Sequence, residues 1–436
     1  MKGMNSWRPG WWLLLGLGCG LLEWPYQLLS ELGFQLQLRL WDLPGLANQA
    51  TRLPSALPVW GGPLLVFVST ATLLALAWGP LAAGKGGGVP PVLAIDRYCD
   101  SSSPADQQRW LKKLSLKTQW QRLPLMVLTH IGGLAIGIES PAVALGASVL
   151  LALRRRWGAE GLLGRMPLPL VAVVGGAAGL GAAFRSPLLG VVYGLEELGR
   201  RSGLPIVVPA LLMAGGGTLV ATALGQPARL AGLSLGPLPA KVWTWVVVLT
   251  VAGSLLGGLL VRFLVPLAEL VRLQMGKRPG PLVLLVAVSL TLLAILSGGL
   301  SLNDGSLSLA AALQGQSGGE AITLVWRFMA TLLSVAVGAP GGIMHDTMSL
   351  GALLVTPLQH LGELDASDLA QLAAVGATAL FAAANGTPIF CAAFVFTLQG
   401  DALLLPLLLA VSALSADIGS RIRGCGWNDS QVAALK

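Results

Sequence analysis

Glu139 is the residue of this chain best placed to do chemistry. It follows sixteen uncharged residues, 123–138, and precedes another apolar stretch, Pro141–Leu153. Ser140-Pro141 suits the first turn of a helix, where proline costs no hydrogen bond. An acid there sits on the positive end of the helix dipole, among free amides that favour anions. Such a carboxylate can occupy an anion site itself and vacate it when protonated. The plainer alternative is a capping acid outside any membrane, and the long apolar run before it favours the functional reading.

Gly338-Ala339-Pro340-Gly341-Gly342-Ile343-Met344 is the partner motif. Its glycines let backbone approach an ion, and the amides of Ile343 and Met344 are expected to open the following helix. A third glycine-rich turn, Gly84-Lys85-Gly86-Gly87-Gly88-Val89-Pro90, also precedes an apolar segment but lacks the Gly-Lys-Ser/Thr ending of a phosphate loop. Glu196-Glu197 closes the apolar segment Pro187–Leu198 just before Arg200-Arg201. Two readings stay open for it: the i,i+4 ion pairs Glu196–Arg200 and Glu197–Arg201, or a proton-transfer carboxylate. His345 and Asp346 could form a relay, but no serine or cysteine nucleophile pattern accompanies them, so an enzyme is not expected.

The elements that must hold these residues are membrane helices. Only 11% of the 436 residues are charged and 54% are hydrophobic, against about 25% charged in soluble domains. A soluble globule, a disordered chain and a fibrous protein are excluded. Cys19, Cys99, Cys391 and Cys425, with His130, His345 and His360, lack ligand spacing, which argues against a disulfide framework, zinc or haem. Charge-free runs at 53–84, 123–138, 166–184, 202–228, 242–261, 279–303, 328–345 and 369–400 mark the spans. A simple crossing takes about 20 residues, and several runs are shorter, longer or interrupted by Gly and Pro. Tilted, broken and re-entrant helices fit better than a row of full crossings, and irregular backbone at membrane depth must be buried or line a watery cavity.

The segment Trp11–Leu22, after Lys2 and Arg8, is expected to be a retained first helix, because Glu23-Trp24-Pro25-Tyr26 offers no cleavage site. Basic residues cluster at Arg109–Arg122, Arg154-Arg155-Arg156, Arg200-Arg201 and Lys277-Arg278, which puts those loops in the cytoplasm. The net charge of +8 is that bias, and no basic run alternates with aromatics as a nucleic-acid surface would.

The chain also repeats itself. At an offset of 201 residues Val174-Gly175, Ala178, Ala182-Ala183 and Pro187 recur as Val375-Gly376, Ala379, Ala383-Ala384 and Pro388, and the same offset sets Gly137 on Gly338. Two related halves, about 10–225 and 240–430, point to a site at their interface.

These segments, in this order and over nearly the whole chain, resemble the CLC family of chloride channels and proton-coupled chloride transporters. Gly137-Ile138-Glu139-Ser140-Pro141 is similar to the family's Gly-Lys/Arg-Glu-Gly-Pro, whose Glu is the external gate. Gly341-Gly342-Ile343-Met344 is similar to Gly-Gly-Ile-Phe-x-Pro, whose amides bind the central anion. Gly86–Pro90 is similar to Gly-Ser-Gly-Ile-Pro, and Gly179–Glu197 to the segment ending in Glu-Glu, which makes Glu197 the internal proton acceptor. The departures are Gly87 where the family has an anion-binding Ser, Ile138 where it has a basic residue, Asp346 where it has Pro, and Asn428 where ungapped matching sets its coordinating Tyr. The resemblance implies an all-α polytopic membrane protein of two inverted repeats of tilted, partly re-entrant helices, without C-terminal CBS domains. It implies Cl-/H+ antiport gated by Glu139 and relayed by Glu197, with a passive chloride channel or a non-transporting relative as alternatives. The anion, chloride or a related one, would meet Gly87, Gly88, Ile343, Met344 and Asn428. A homodimer with one pathway per subunit, in a prokaryotic plasma membrane or organellar inner membrane, and with no cofactor, is expected.

Overall fold

Small residues decide which helices meet in this chain, because apolar surfaces gain nothing by leaving lipid for one another and association rests on close packing. The computed structural model describes residues 9–41, 60–200, 202–225 and 235–435; Lys2, Arg8 and Arg201 lie outside them. The first helix, α1 (Pro9–Leu40), runs straight through Glu23-Trp24-Pro25-Tyr26 and far beyond the expected Leu22. Its Gly16 and Gly20 abut α9 (Val207–Ala223): β-carbons there would lie 2.2 Å from the Met213 carbonyl oxygen and 2.7 Å from the Gly217 Cα.

Between these two come α2 (Gly61–Ala77), α3 (Val89–Tyr98), α4 (Pro104–Lys113), α5 (Leu116–Ile131), α6 (Glu139–Trp157), α7 (Leu168–Ala183) and α8 (Pro187–Tyr193). The second half holds α10 (Trp243–Lys277), α11 (Pro279–Leu296), α12 (Ser306–Leu313), α13 (Thr323–Ala336), α14 (Met344–Leu353), α15 (Ala366–Asn385), α16 (Pro388–Gln399), α17 (Leu405–Arg423) and α18 (Trp427–Ala433). Five stretches are long and apolar enough to cross a bilayer by length and composition: Leu204–Ala223, Ala240–Lys277, Pro279–Leu296, Ala366–Asn385 and Leu405–Arg423. Helix α10 is 35 residues long, about 50 Å at 1.5 Å per residue, so it fits an apolar layer about 30 Å thick only when tilted. Conversely α3 and α14, of 10 residues each, are about 15 Å long and stop partway through.

The repeat is visible as one crossing made twice. Where α6 meets α7, a β-carbon on Gly146 would fall 2.2 Å from the Gly175 carbonyl oxygen, and one on Gly175 would fall 2.6 Å from that of Gly146. Where α14 meets α15, Gly351 and Gly376 stand in the same reciprocal relation, at 2.2 and 2.4 Å. The 201-residue offset therefore holds for α7 with α15, and Pro187 and Pro388 both open helices. It does not hold for the motifs ahead of them. Gly137 pairs with Gly342, and Gly146 corresponds to Gly351, each 205 residues apart rather than 201. The first half has four more residues between its two crossing glycines, and an ungapped comparison anchored on α7 therefore misregisters the site.

Gly351→Ala forces two backbones apart and is expected to cost about 1–3 kcal/mol, whereas Gly215→Ala, with nothing within 4 Å of the new carbon, should change stability by less than about 0.5 kcal/mol. Thermal unfolding of the two purified variants in detergent tests the contrast.

Candidate functional site

Three breaks between helices converge and are sewn together by backbone. Gly137 N–H donates to the Gly342 carbonyl at 3.0 Å and Gly342 N–H returns the bond to Gly137 at 2.9 Å. Gly86 N–H donates to the Gly338 carbonyl at 2.8 Å. Gly86 and Gly338 have φ of +73° and +79°, a backbone region open to glycine at little cost. The indole of Trp78 donates to the Val337 carbonyl at 2.9 Å, and Lys85 Nζ lies 3.3 Å above the Trp78 ring. Thus the three glycine-rich motifs, far apart in sequence, form one floor.

The carboxylate of Glu139 lies on that floor with no solvent exposure. It opens α6 and folds back over its own motif, so that a β-carbon on Gly137 would lie 2.3 Å from Oε2 and one on Gly342 would lie 2.7 Å from it. Oε1 accepts the backbone N–H of His345 at 3.2 Å, in the first turn of α14, and stands 2.8 Å from His345 Nδ1. Oε2 has no hydrogen-bond partner. The carboxylate therefore joins the positive ends of two helices, where free N–H groups and dipoles favour an anion. The helix α14 does begin at Met344 after Ile343, as the motif predicts, but the amide that reaches Glu139 is that of His345.

His345 belongs to the site, although a relay between His345 and Asp346 does not form. Its ring stacks on Phe184 at 5.3 Å between centroids, and the edge of Phe394 closes it at the same distance. Asp346 turns the other way, to Arg327 of α13, at 2.8 Å with both side chains buried. Arg327 also donates to the carbonyls of Leu300, Leu302 and Asn303. The negative charge expected of Asp346 beside the anion route is thus countered by a buried guanidinium. Arg327 stands one residue before the charge-free run 328–345, and reads in sequence as a helix-end cation.

The pair Glu196-Glu197 divides its labour. A single π-helical turn, Gly194–Leu198, follows α8 and shifts the register from the i,i+4 spacing assumed above. Glu196 faces α16 and accepts the amides of Ile389 and Phe390 at 3.1 and 2.7 Å, capping that helix. Arg200 reaches Glu197 at 3.3 Å, i to i+3, and gives only a backbone contact to Glu196. Glu197 is 5% exposed and accepts from Asn428 Nδ2 at 2.9 Å. Asn428, expected to face the anion, therefore spends its amide on Glu197. Tyr193, one turn earlier, is buried with no partner for its hydroxyl, packs on Phe390 at 4.7 Å, and lies within electrostatic range of both Glu139 and Glu197. Single tyrosines in apolar helices carry no sequence signal, which is why Tyr193 escapes a motif reading.

At the third motif, Gly88 N–H donates to Ser140 Oγ at 2.8 Å. The Gly88 amide, expected to meet an anion, is occupied by that hydroxyl, and Gly87 brings no side chain to the floor.

Breaking the Arg327–Asp346 pair leaves an unpaired buried charge, a loss of about 3–5 kcal/mol. Arg327→Met should therefore lower the unfolding temperature sharply, and Arg327→Met combined with Asp346→Asn should recover much of it; the melting curves of the single and double variants check this.

Comparison with known proteins follows the same lines. The family model described as "Voltage gated chloride channel" matches residues 64–419. The chain is similar to the H(+)/Cl(-) exchange transporter ClcA of Vibrio cholerae serotype O1 (strain M66-2), 26% identical over 400 residues, covering 86% of this chain and 79% of the relative. It is similarly related to the ClcA of Yersinia pseudotuberculosis serotype IB (strain PB1/+), 26% identical with 88% and 79% covered. Among solved structures, it resembles a slow cyanobacterial Cl-/H+ antiporter with a TM-score of 0.70 at 21% identity, 97% of each chain covered. A CLC-type fluoride/proton antiporter gives 0.69 at 20% identity, covering 96% of this chain and 97% of that one. These likenesses show the fold, and the match of the family model over most of the chain settles its kinship. This all-α, multi-pass membrane protein belongs to the voltage gated chloride channel family, the CLC family.

Proposed function

We propose that this protein exchanges chloride, or a related small anion, for protons across a membrane, with Glu139 as the gate in the anion route and Glu197 as the inner proton acceptor. The observation that carries the reading is the position of the Glu139 carboxylate, which fills the junction of two helix N-termini as an anion would. The names of the ClcA relatives supply the pairing of chloride with protons.

The chemistry follows from charge balance. While ionised, Glu139 satisfies the amide of His345 and excludes another anion from the same place. Once protonated, it loses about half of its hold on that N–H, because hydrogen bonds to a charged acceptor are roughly twice as strong as neutral ones. It then swings away and an anion takes the floor of glycines, with the amides around Ile343 and Met344 facing it. The proton passes inward to Glu197, whose carboxylate Asn428 and Arg200 orient. The proposed way inward passes the packed rings of Phe184, Phe394 and Phe390 and the unbonded hydroxyl of Tyr193, one turn before Glu197. His345 holds the gate in place: with its Nδ1–H donating to Oε1 across 2.8 Å, it stabilises the seated, ionised carboxylate. Two copies, each with its own pathway, form the working unit.

The decisive experiment is proton movement in proteoliposomes under an imposed chloride gradient, with voltage held near zero by valinomycin and potassium. Uphill proton transport is expected. Chloride flux without protons would make the protein a channel, and neither flux would remove transport from the account. Glu139→Gln should abolish proton coupling and leave anion flux; pH-dependent, still-coupled transport by that variant would sink the scheme. Glu197→Gln should depress proton movement far more than chloride movement, read in the same vesicles. His345→Leu should free the gate, raising anion turnover about tenfold for the loss of a hydrogen bond to a charged group and flattening its dependence on pH; a pH profile unchanged from the parent would take His345 out of the gate.

A further inference from the structure

The corner where α3, α6 and the 338–342 loop meet holds a hydroxyl whose proton has no acceptor. Ser140 is 7% exposed, and its Oγ accepts two backbone amides at the start of α3, Gly88 N–H at 2.8 Å and Val89 N–H at 3.3 Å. A hydroxyl has one proton to give and two lone pairs. Both lone pairs are taken, and among the described residues no hydrogen bond runs from Ser140 Oγ to an acceptor. Two N–H donors on one oxygen polarise it and strengthen its own O–H as a donor. The residue adjoins Glu139 at the first turn of α6, and the Gly342 β-position is 3.3 Å from the Ser140 amide. Ser140 therefore stands at the edge of the place the Glu139 carboxylate fills.

The space around it has one further property. A β-carbon on Gly87 would lie 2.3 Å from Ser140 Oγ and 3.1 Å from its Cβ. A side chain at position 87 and the Ser140 hydroxyl in its present rotamer exclude each other. Glycine at 87 is thus the condition for Ser140 to sit on the α3 amides, and the absence of a hydroxyl at 87 is the counterpart of its presence at 140.

We propose that Ser140 is the side-chain hydroxyl donor to the transported anion, supplied from the gate motif on α6 instead of from the α3 motif, and that it sets which small anion this site prefers. The inference rests on the transport reading above and names a residue of the same site. With Glu139 swung out, an incoming halide or nitrate would find helix amides on the α14 side and the Ser140 O–H on the α3 side. A single compact donor with its oxygen fixed by two amides rewards a small, strongly hydrogen-bonding anion over a large, diffuse one.

The test uses the full-length purified protein, with chloride, fluoride and nitrate as the probes in calorimetric titration and then in liposome flux. Ser140→Ala is expected to weaken chloride binding about tenfold and to reorder the three anions. Gly87→Ser alone is expected to be crowded, with a lowered melting temperature and no tighter binding. Gly87→Ser combined with Ser140→Gly moves the hydroxyl to the other helix and is expected to restore chloride affinity to within about threefold of the parent. If Ser140 only caps α3, Ser140→Ala lowers the melting temperature while the affinities and their order stay as in the parent, and the proposal falls. It falls equally if the exchanged pair binds chloride no better than Ser140→Gly alone. Should Ser140→Ala fail to fold, the exchanged pair and the parent still decide the matter. A parent protein that neither binds nor moves any of the three anions would instead overturn the transport reading itself.

Discussion

A helix that stops inside a membrane leaves its first N–H groups without partners, and no water is there to take them. That constraint governs this molecule. The helices α6 and α14 both begin at depth, with their N-termini facing each other across the Gly137–Gly342 bridge. A negative group must sit between them for the arrangement to be stable. In this structure the group is the chain's own Glu139; the proposed exchange has a transported anion take its place, because the demand is for negative charge and not for a particular side chain. In the proposed mechanism the Glu139 carboxylate and the anion are thus alternative occupants of one electrostatic site.

The scaffold exists to keep those helix ends close. Backbones approach at Gly146–Gly175 and again at Gly351–Gly376 because neither residue of either pair carries a β-carbon. Glycine is unfavourable in a helix interior, so its use at these four positions, in two contacts, reflects packing. The same economy explains the motifs, where Gly137 and Gly342 leave room for the Glu139 carboxylate.

The buried and half-buried acids around the site differ by what they face. Asp346 is neutralised by Arg327, and Glu196 is spent on the first amides of α16. Glu197 is held by Asn428 and by the half-exposed Arg200, at the edge of the membrane interior. Glu139 faces amides and an imidazole, with one oxygen left unbonded. Four carboxylates of similar intrinsic chemistry are thus given different surroundings by their partners alone.

Composition and pattern determined much of this from the chain by itself. Scarce charge set the solvent, the interrupted apolar runs set broken helices, and an acid isolated at 139 between two such runs marked the carboxylate that lies buried between two helix N-termini, since burying a carboxylate in lipid demands a reason. The correspondence of α7 with α15 was also legible, because each must carry small residues where its backbone touches that of a neighbouring helix. What the tertiary structure alone decided is partnership. The repeat slipped by four residues ahead of α7, so Gly137 found Gly342 rather than Gly338; Glu196 went to α16 and Glu197 to Asn428; Arg327 reached back to Asp346; and His345 joined Glu139 from 206 residues away. A sequence lists which groups need satisfying, but which donor meets which acceptor depends on helix crossings and loop lengths, and a shift of one turn there reassigns every contact.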